Sequence, residues 1–134
     1  MKTARSMAGV WIDHSRAVIA TLTDRGEKTM QILSHVDRQP RRIDGQVSRT
    51  VEPVAIDDKA MRSYHAHLNK YYDKVIAAFP RAGSVLIFGP GMAKQELAAR
   101  IGKKRFSGRV VGVETTDKMT ERQITARVRR HFAA

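Results

Sequence analysis

The chain contains no cysteine, which excludes disulfide bonds and thiolate metal sites. Aromatic residues make up only 6% of it and hydrophobic residues 42%, so the core must be mainly aliphatic. No apolar run approaches the roughly 20 residues of a membrane helix, and residues 1–9 lack the apolar core of a secretory signal. We therefore expect a cytoplasmic protein without a membrane partner, whose residues 1–134 form one domain.

Acidic residues are scarce relative to basic ones. The chain has 13 Asp and Glu against 25 Lys and Arg, a formal net charge of +12. A surface of that charge attracts polyanions, and nucleic acid is the commonest of them. The charge predicts an RNA or ribosomal partner; the alternative is a solvated basic surface that serves only solubility.

The first third of the chain has the pattern of an antiparallel meander. Three segments rich in β-branched residues, at 8–12, 16–23 and 28–36, are joined by short turns. Residues 36–56, the basic arm, are polar and interrupted by prolines, which predicts a loop.

The remaining two thirds alternate between helix and strand patterns. Asp57 is predicted to cap a helix that runs to about Phe79, with apolar residues every three or four positions. Within it, Tyr71 and Tyr72 are adjacent, so we expect one of them to face solvent. A continuous apolar run predicts a buried strand at 84–89, and 108–115 is predicted to be another buried strand. The second helix is expected to end near Gly102 and the last one to begin at Thr120.

The resulting order is βββαβαβα. A meander followed by parallel β-α-β units predicts a single α/β domain, with a mixed five-stranded sheet and helices packed on it. This layout resembles ribonuclease-H-like and ribosomal-protein-like α/β domains.

Three segments carry a more specific resemblance: ILSHVDRQPRRIDGQVSRTV, KAMRSYHAHLNKYYDKVIAAF and AGSVLIFGPGMAKQELAARI. They resemble the middle domain of the eukaryotic and archaeal peptide-chain release factor and of its relative Pelota. The stand-alone bacterial versions, often labelled translational machinery proteins, are the most similar. The resemblance spans about residues 8–132.

The resemblance implies roles for three residues of the arm. In the family a loop with a Gly-Gly-Gln tip reaches the peptidyl transferase centre, and its glutamine helps to place water on the ester between peptide and tRNA. Gln46 matches that glutamine and Gly45 the second glycine, whereas Asp44 stands in place of the first. A carboxylate there opposes the negative charge that develops on the carbonyl oxygen.

Two interpretations therefore stay open. In the first the protein acts in ribosome rescue or peptide release, with Gly45 and Gln46 as catalytic residues. In the second it is a non-catalytic module that binds RNA or the ribosome. Both use guanidinium and ammonium groups on the phosphates of ribosomal RNA or tRNA. The candidate nucleic-acid-binding residues are Arg38, Arg41, Arg42, Arg49, Lys103, Lys104 and Arg105.

A third, weaker interpretation is a metal-dependent nuclease. Asp13 ends the first strand, and Glu114 and Asp117 follow the last one, where converging carboxylates would be needed to hold metal ions. The fourth strand is followed by Gly-Pro-Gly without an acid, and the histidines are scattered. The sequence therefore predicts no metal and no cofactor.

Overall fold

The computed structural model describes residues 6–36, 58–80, 83–104 and 106–133. The strands are β1 (Met7–Ile12), β2 (Arg16–Thr23), β3 (Gly26–Leu33), β4 (Ser84–Gly89) and β5 (Arg109–Thr115). The helices are α1 (Asp58–Ala78), α2 (Ala93–Gly102) and α3 (Glu121–His131). The predicted α/β class with a mixed five-stranded sheet is confirmed. The prediction that the strand at 108–115 is buried is wrong: β5 lies at the edge of the sheet, and its Val111 and Val113 are each 40% exposed. In these described segments no helix is long and apolar enough to cross a membrane.

The sheet has the strand order β3-β2-β1-β4-β5. β1 pairs antiparallel with β2 and parallel with β4, and β4 pairs parallel with β5. The three parallel strands therefore end on one side of the sheet, the carboxyl edge, at Ile12, Gly89 and Thr115. Gly89 has a φ of +157°, and a Cβ there would lie 2.2 Å from the carbonyl oxygen of Ile12, so a side chain does not fit at this edge.

The third strand is shorter at its end than predicted. It stops at Leu33 instead of continuing to Val36, because His35 has a φ of +57° that breaks the extended conformation. The backbone N–H of Ser34 then donates to the carbonyl of Ser15 at 2.9 Å, which holds the end of β3 beside the β1–β2 turn.

One face of the sheet carries the larger core, covered by α1 and α2. The prediction that Tyr71 or Tyr72 faces solvent is wrong, because both are only 2% exposed. The buried side of α1 is wide since it faces the sheet and also α2. The Tyr71 hydroxyl donates to the Asp13 carbonyl at 2.9 Å, and the Tyr72 hydroxyl reaches Glu96 of α2 at 2.5 Å.

The opposite face carries a smaller core under α3. Trp11, the single tryptophan, is fully buried there, and its indole Nε1–H donates to the Asp117 carbonyl at 3.1 Å. Gly9 of β1 lets α3 approach the sheet closely, because a Cβ at this position would lie 2.3 Å from Cγ2 of Val128.

The start of α3 confirms Thr120 as its cap. The Thr120 hydroxyl accepts from the backbone N–H of Gln123 at 3.1 Å. The Gln123 side chain accepts in return from the Thr120 N–H at 2.9 Å. This capping box satisfies two N–H groups and stabilises the helix start by about 1 kcal/mol.

Candidate nucleic-acid interface

The solvent side of α1 carries a row of cations. The helix buries its apolar residues against the sheet and α2, so its polar residues lie on the other side. Lys59, Arg62, Lys70 and Lys74 are all exposed there. None of the four forms an ion pair with a described residue. Cations without acidic partners leave their hydrogen-bond donors available to phosphate oxygens.

The end of α2 adds two of the predicted RNA-binding residues, Lys103 and Lys104. Lys103 caps the helix: its backbone N–H donates to the carbonyl of Arg100, and the N–H of Lys104 donates to that of Ile101, both at 3.0 Å. Lys104 lies 3.3 Å from the carboxylate of Asp73 on α1. The structure therefore brings both lysines to the α1 side of the molecule, and of the two only Lys104 is engaged in an ion pair with a described residue.

Arg100 makes the stronger bond between α1 and α2. Its Nε and one terminal nitrogen donate to the two Asp73 oxygens at 2.8 and 2.9 Å. The Arg100 hydrogen bonds, and secondarily Lys104, hold the pKa of Asp73 below its usual value. The same pairing raises the pKa of Arg100. A bidentate pair of this kind fixes the relative position of the two helices.

A groove of about 270 Å³ runs between α1 and α2. Its apolar lining comes from Leu68, Tyr72 and Ala99. Its polar lining is formed by His65, Asn69, Glu96, Arg100 and Lys103. The groove therefore combines an apolar surface, an imidazole, an amide, one carboxylate and two basic side chains.

Glu96 links this groove to the carboxyl edge. Its Oε1 accepts from the Tyr72 hydroxyl at 2.5 Å and lies 2.9 Å from Nε2 of His14, which follows β1. Burial, and then the bond to Glu96, raise the pKa of the Tyr72 hydroxyl, so Tyr72 remains a donor. The sequence analysis did not predict this contact between Glu96, Tyr72 and His14, because the three residues come from segments far apart in the chain.

The catalytic candidates Gly45 and Gln46, together with Asp44, lie outside the described residues. The same holds for the RNA-binding candidates Arg38, Arg41, Arg42, Arg49 and Arg105. Of the basic arm, the structure describes only Val36, together with the residues that flank the arm.

Those flanking residues lie near one another on the carboxyl edge. Before the arm, β3 ends where Ser34 bonds to Ser15. After it, α1 begins, and Tyr64 in its second turn packs its ring 6.5 Å from the ring of His14. The chain therefore leaves and re-enters the described fold on the side where Glu96 and His14 meet.

The acidic residues named in the nuclease interpretation bind different partners within the protein. The Asp13 carboxylate accepts from the backbone N–H groups of Ser15 and Arg16 at 2.8 and 2.9 Å. Glu114 is paired with Arg127. Across the described residues, no three His, Asp or Glu side chains are grouped so that they could hold a metal ion. The convergence of carboxylates required by this interpretation is therefore not found in that part of the chain.

The α3 side of the molecule differs from the α1 side in its electrostatics. Arg127 pairs with Glu114, and Arg129 pairs with Glu27 of β3 at 2.7 Å. Arg129 holds the pKa of Glu27 below its usual value. Two cations of α3 are thus neutralised by acids, whereas Arg122 and Arg130, like the four cations along α1, have no acidic partner among the described residues.

Comparison with known proteins supports the fold. No protein-family model matches the chain, and no curated protein matches it. Among solved structures, the Pelota protein of Thermoplasma acidophilum is 16% identical and superposes with a TM-score of 0.52 over 87% of this chain. The PPX-GPPA enzyme of Aquifex aeolicus is also 16% identical and covers 86% of this chain and 36% of its own, but its TM-score of 0.32 carries no weight. The chain spans only 30% of the Pelota protein, and its fold is similar to that part of Pelota.

Proposed function

We propose that this chain is a translation-associated protein that binds ribosomal RNA or tRNA on the ribosome through α1 and the end of α2. The observation that carries the proposal is the row of α1 cations without acidic partners among the described residues, continued by Lys103, on a fold similar to part of Pelota. Phosphate contacts supply most of the affinity of such interfaces.

The elements that flank the basic arm support the same interface. Residues 37–57 connect the end of β3 with the start of α1, and both of these flanks lie at the carboxyl edge. The four arginines of the arm therefore belong to a segment attached next to the cations of α1. Together they form one continuous basic region in our proposal.

Peptide release is the second candidate function, and the Asp-Gly-Gln sequence in the segment between β3 and α1 favours it. In this version Gln46 orients water toward the ester of peptidyl-tRNA and Gly45 supplies backbone freedom. Asp44 opposes the reaction, because a carboxylate disfavours negative charge on the ester oxygen. Binding without hydrolysis is therefore the first candidate, and release is the second.

Ribosome co-sedimentation at several salt concentrations tests the binding proposal. The Lys70→Gln/Lys74→Gln variant removes two charges from α1, and Lys118→Gln/Arg122→Gln removes two exposed charges near the start of α3. Each lost phosphate contact lowers the slope of log affinity against log salt by about 0.7 to 0.9. We expect the α1 variant to lose about 1.5 in slope and the control to keep the wild-type value. Equal losses, or no ribosome binding by the wild type, would contradict the proposed interface.

Peptidyl-tRNA hydrolysis on the ribosome-bound fraction separates the two candidates. If the protein hydrolyses the ester, Gln46→Ala abolishes release without weakening co-sedimentation, and Asp44→Gly raises the rate. If wild type and Asp44→Gly both bind and release nothing, the catalytic candidate is eliminated and the binding function stands.

A further inference from the structure

The groove between α1 and α2 has a chemistry that phosphate binding alone does not require. A phosphate site needs donors, yet this groove also contains the carboxylate of Glu96 and the apolar surfaces of Leu68 and Ala99. A carboxylate repels phosphate, and an apolar lining forms no hydrogen bond with a phosphate group. The groove is thus suited to a flat, partly apolar group that carries donors of its own.

The size of the groove limits that group. Its volume of about 270 Å³ lies slightly below the roughly 300–1,000 Å³ of pockets for drug-sized ligands. A single nucleotide is on that smaller scale. Unpaired bases in RNA are recognised by stacking on aromatic or guanidinium groups and by hydrogen bonds to their Watson–Crick edge. His65, exposed at the groove and packed at 5.3 Å against the ring of Tyr64, offers such a stacking surface.

The hydrogen bonds around Glu96 select among the bases. Oε1 of Glu96 already accepts hydrogen bonds from Tyr72 and His14. No described residue donates to Oε2. A carboxylate oxygen accepts only, so a base must present donors to it. Guanine has two neighbouring donors on its Watson–Crick edge, N1–H and the N2 amino group. Adenine and cytosine place an acceptor next to their amino group, and uracil flanks its single N–H with two carbonyls.

The remaining polar side chains fit the rest of guanine. Its O6 acceptor lies beside N1–H, and Asn69 and Lys103 supply donors to the same groove as Glu96. Lys103, which forms no ion pair with a described residue, also adds positive charge for the neighbouring phosphate. We propose that the α1/α2 groove binds an unpaired guanine base of RNA, with Oε2 of Glu96 accepting from N1–H and from the N2 amino group. This inference rests on the proposed RNA-binding function and adds base specificity to it.

Fluorescence anisotropy with labelled five-nucleotide RNAs tests the inference. UUGUU and UUAUU differ only in the central base, so their phosphate contacts are equal. A matched donor pair at a carboxylate predicts about 5- to 30-fold tighter binding of UUGUU, toward the lower end because the Glu96 side chain is 38% exposed. Unlabelled GMP as competitor distinguishes a guanine in RNA from a free nucleotide.

Glu96→Gln should remove the preference for guanine, since the amide exposes a donor as well as an acceptor. Glu27→Gln is the matched control: it deletes the same charge on the α3 side of the molecule and should keep the preference. If Glu96→Gln fails to fold, nuclear magnetic resonance of isotope-labelled wild-type protein replaces that variant. The signal of the Asn69 side-chain amide should shift on addition of UUGUU and not on addition of UUAUU.

Equal affinity for UUGUU and UUAUU would overturn the guanine site while ribosome binding still supports the proposed function. Displacement of UUGUU by GMP only at concentrations far above the RNA supports recognition of the base within RNA, whereas GMP binding in the absence of RNA binding overturns it. Loss of preference in the Glu27→Gln control would also overturn the assignment to this groove.

Discussion

Replacing Gly9 with alanine tests how α3 is seated on the sheet. The added Cβ would lie 2.3 Å from Cγ2 of Val128, well inside the roughly 3.5–4.0 Å of optimal carbon contacts. Val128 is fully buried, and a β-branched side chain on a helix has one strongly preferred rotamer, so it cannot turn away. The whole of α3 must shift instead.

The structure gives the expected size of the effect. Overpacking of this kind costs about 1–3 kcal/mol of unfolding free energy. Val128→Ala alone deletes two buried carbons, worth about 1.6 kcal/mol, and the residual cavity raises the cost to about 2–3 kcal/mol. In the double variant the methyl group added by Gly9→Ala takes space that the valine has vacated. We therefore expect the double variant to be less destabilised than the sum of the singles by about 1–2 kcal/mol.

Urea unfolding followed by the fluorescence of Trp11 is a direct assay, because this single tryptophan lies in the same core. Gly91→Ala is the control, since a Cβ at Gly91 would meet nothing within 4 Å. It should be nearly neutral and additive with Val128→Ala. Additive costs in the Gly9→Ala/Val128→Ala pair would refute the close approach of α3 to β1.

Three further predictions concern single contacts. The lowered pKa of Asp73 contributes stability above its unfolded value of about 3.9 that is lost as pH falls through the folded value. Asp73→Asn should therefore flatten the dependence of Tm on pH between about 2 and 5, and an unchanged profile would show that Arg100 does not hold the carboxylate in solution. Thr120→Ala should cost about 1 kcal/mol in urea unfolding through loss of the capping box, and a cost near zero would contradict it. Tyr72→Phe should destabilise more than Tyr71→Phe, because it deletes a bond to a charged acceptor instead of a carbonyl, and the reverse order in parallel melts would be inconsistent with the structure.

Much of the fold was predictable because its signals are local. The apolar run at 84–89 coincides with β4, and the polar-apolar pattern after Thr120 gives α3. The end of β3 was not predictable, since His35 adopts a positive φ that its residue type only weakly favours. The burial of both Tyr71 and Tyr72 depends on α2 packing beside α1, which no pattern within α1 reveals.

The candidate site was only partly predictable, because its electrostatics depend on pairing between distant residues. Lys103 and Lys104 are equivalent in sequence, yet of the two only Lys104 lies within ion-pair distance of Asp73. Glu96 meets His14 across 82 positions of the chain, and no sequence spacing signals that contact. Charge composition predicts an anionic partner, but the fold determines which cations form ion pairs with acidic residues and which do not.

The parallel pairing of β1 with β4 closes a loop that contains residues 37–57. The entropy lost in closing a flexible loop grows only with the logarithm of its length, so doubling it costs about 0.6 kcal/mol. Insertions or deletions between Val36 and Asp58 should therefore change the thermodynamic stability of the sheet very little. Selection on reach, charge and tip sequence can act on this segment almost independently of selection on the scaffold, which makes it the natural place to graft foreign recognition sequences.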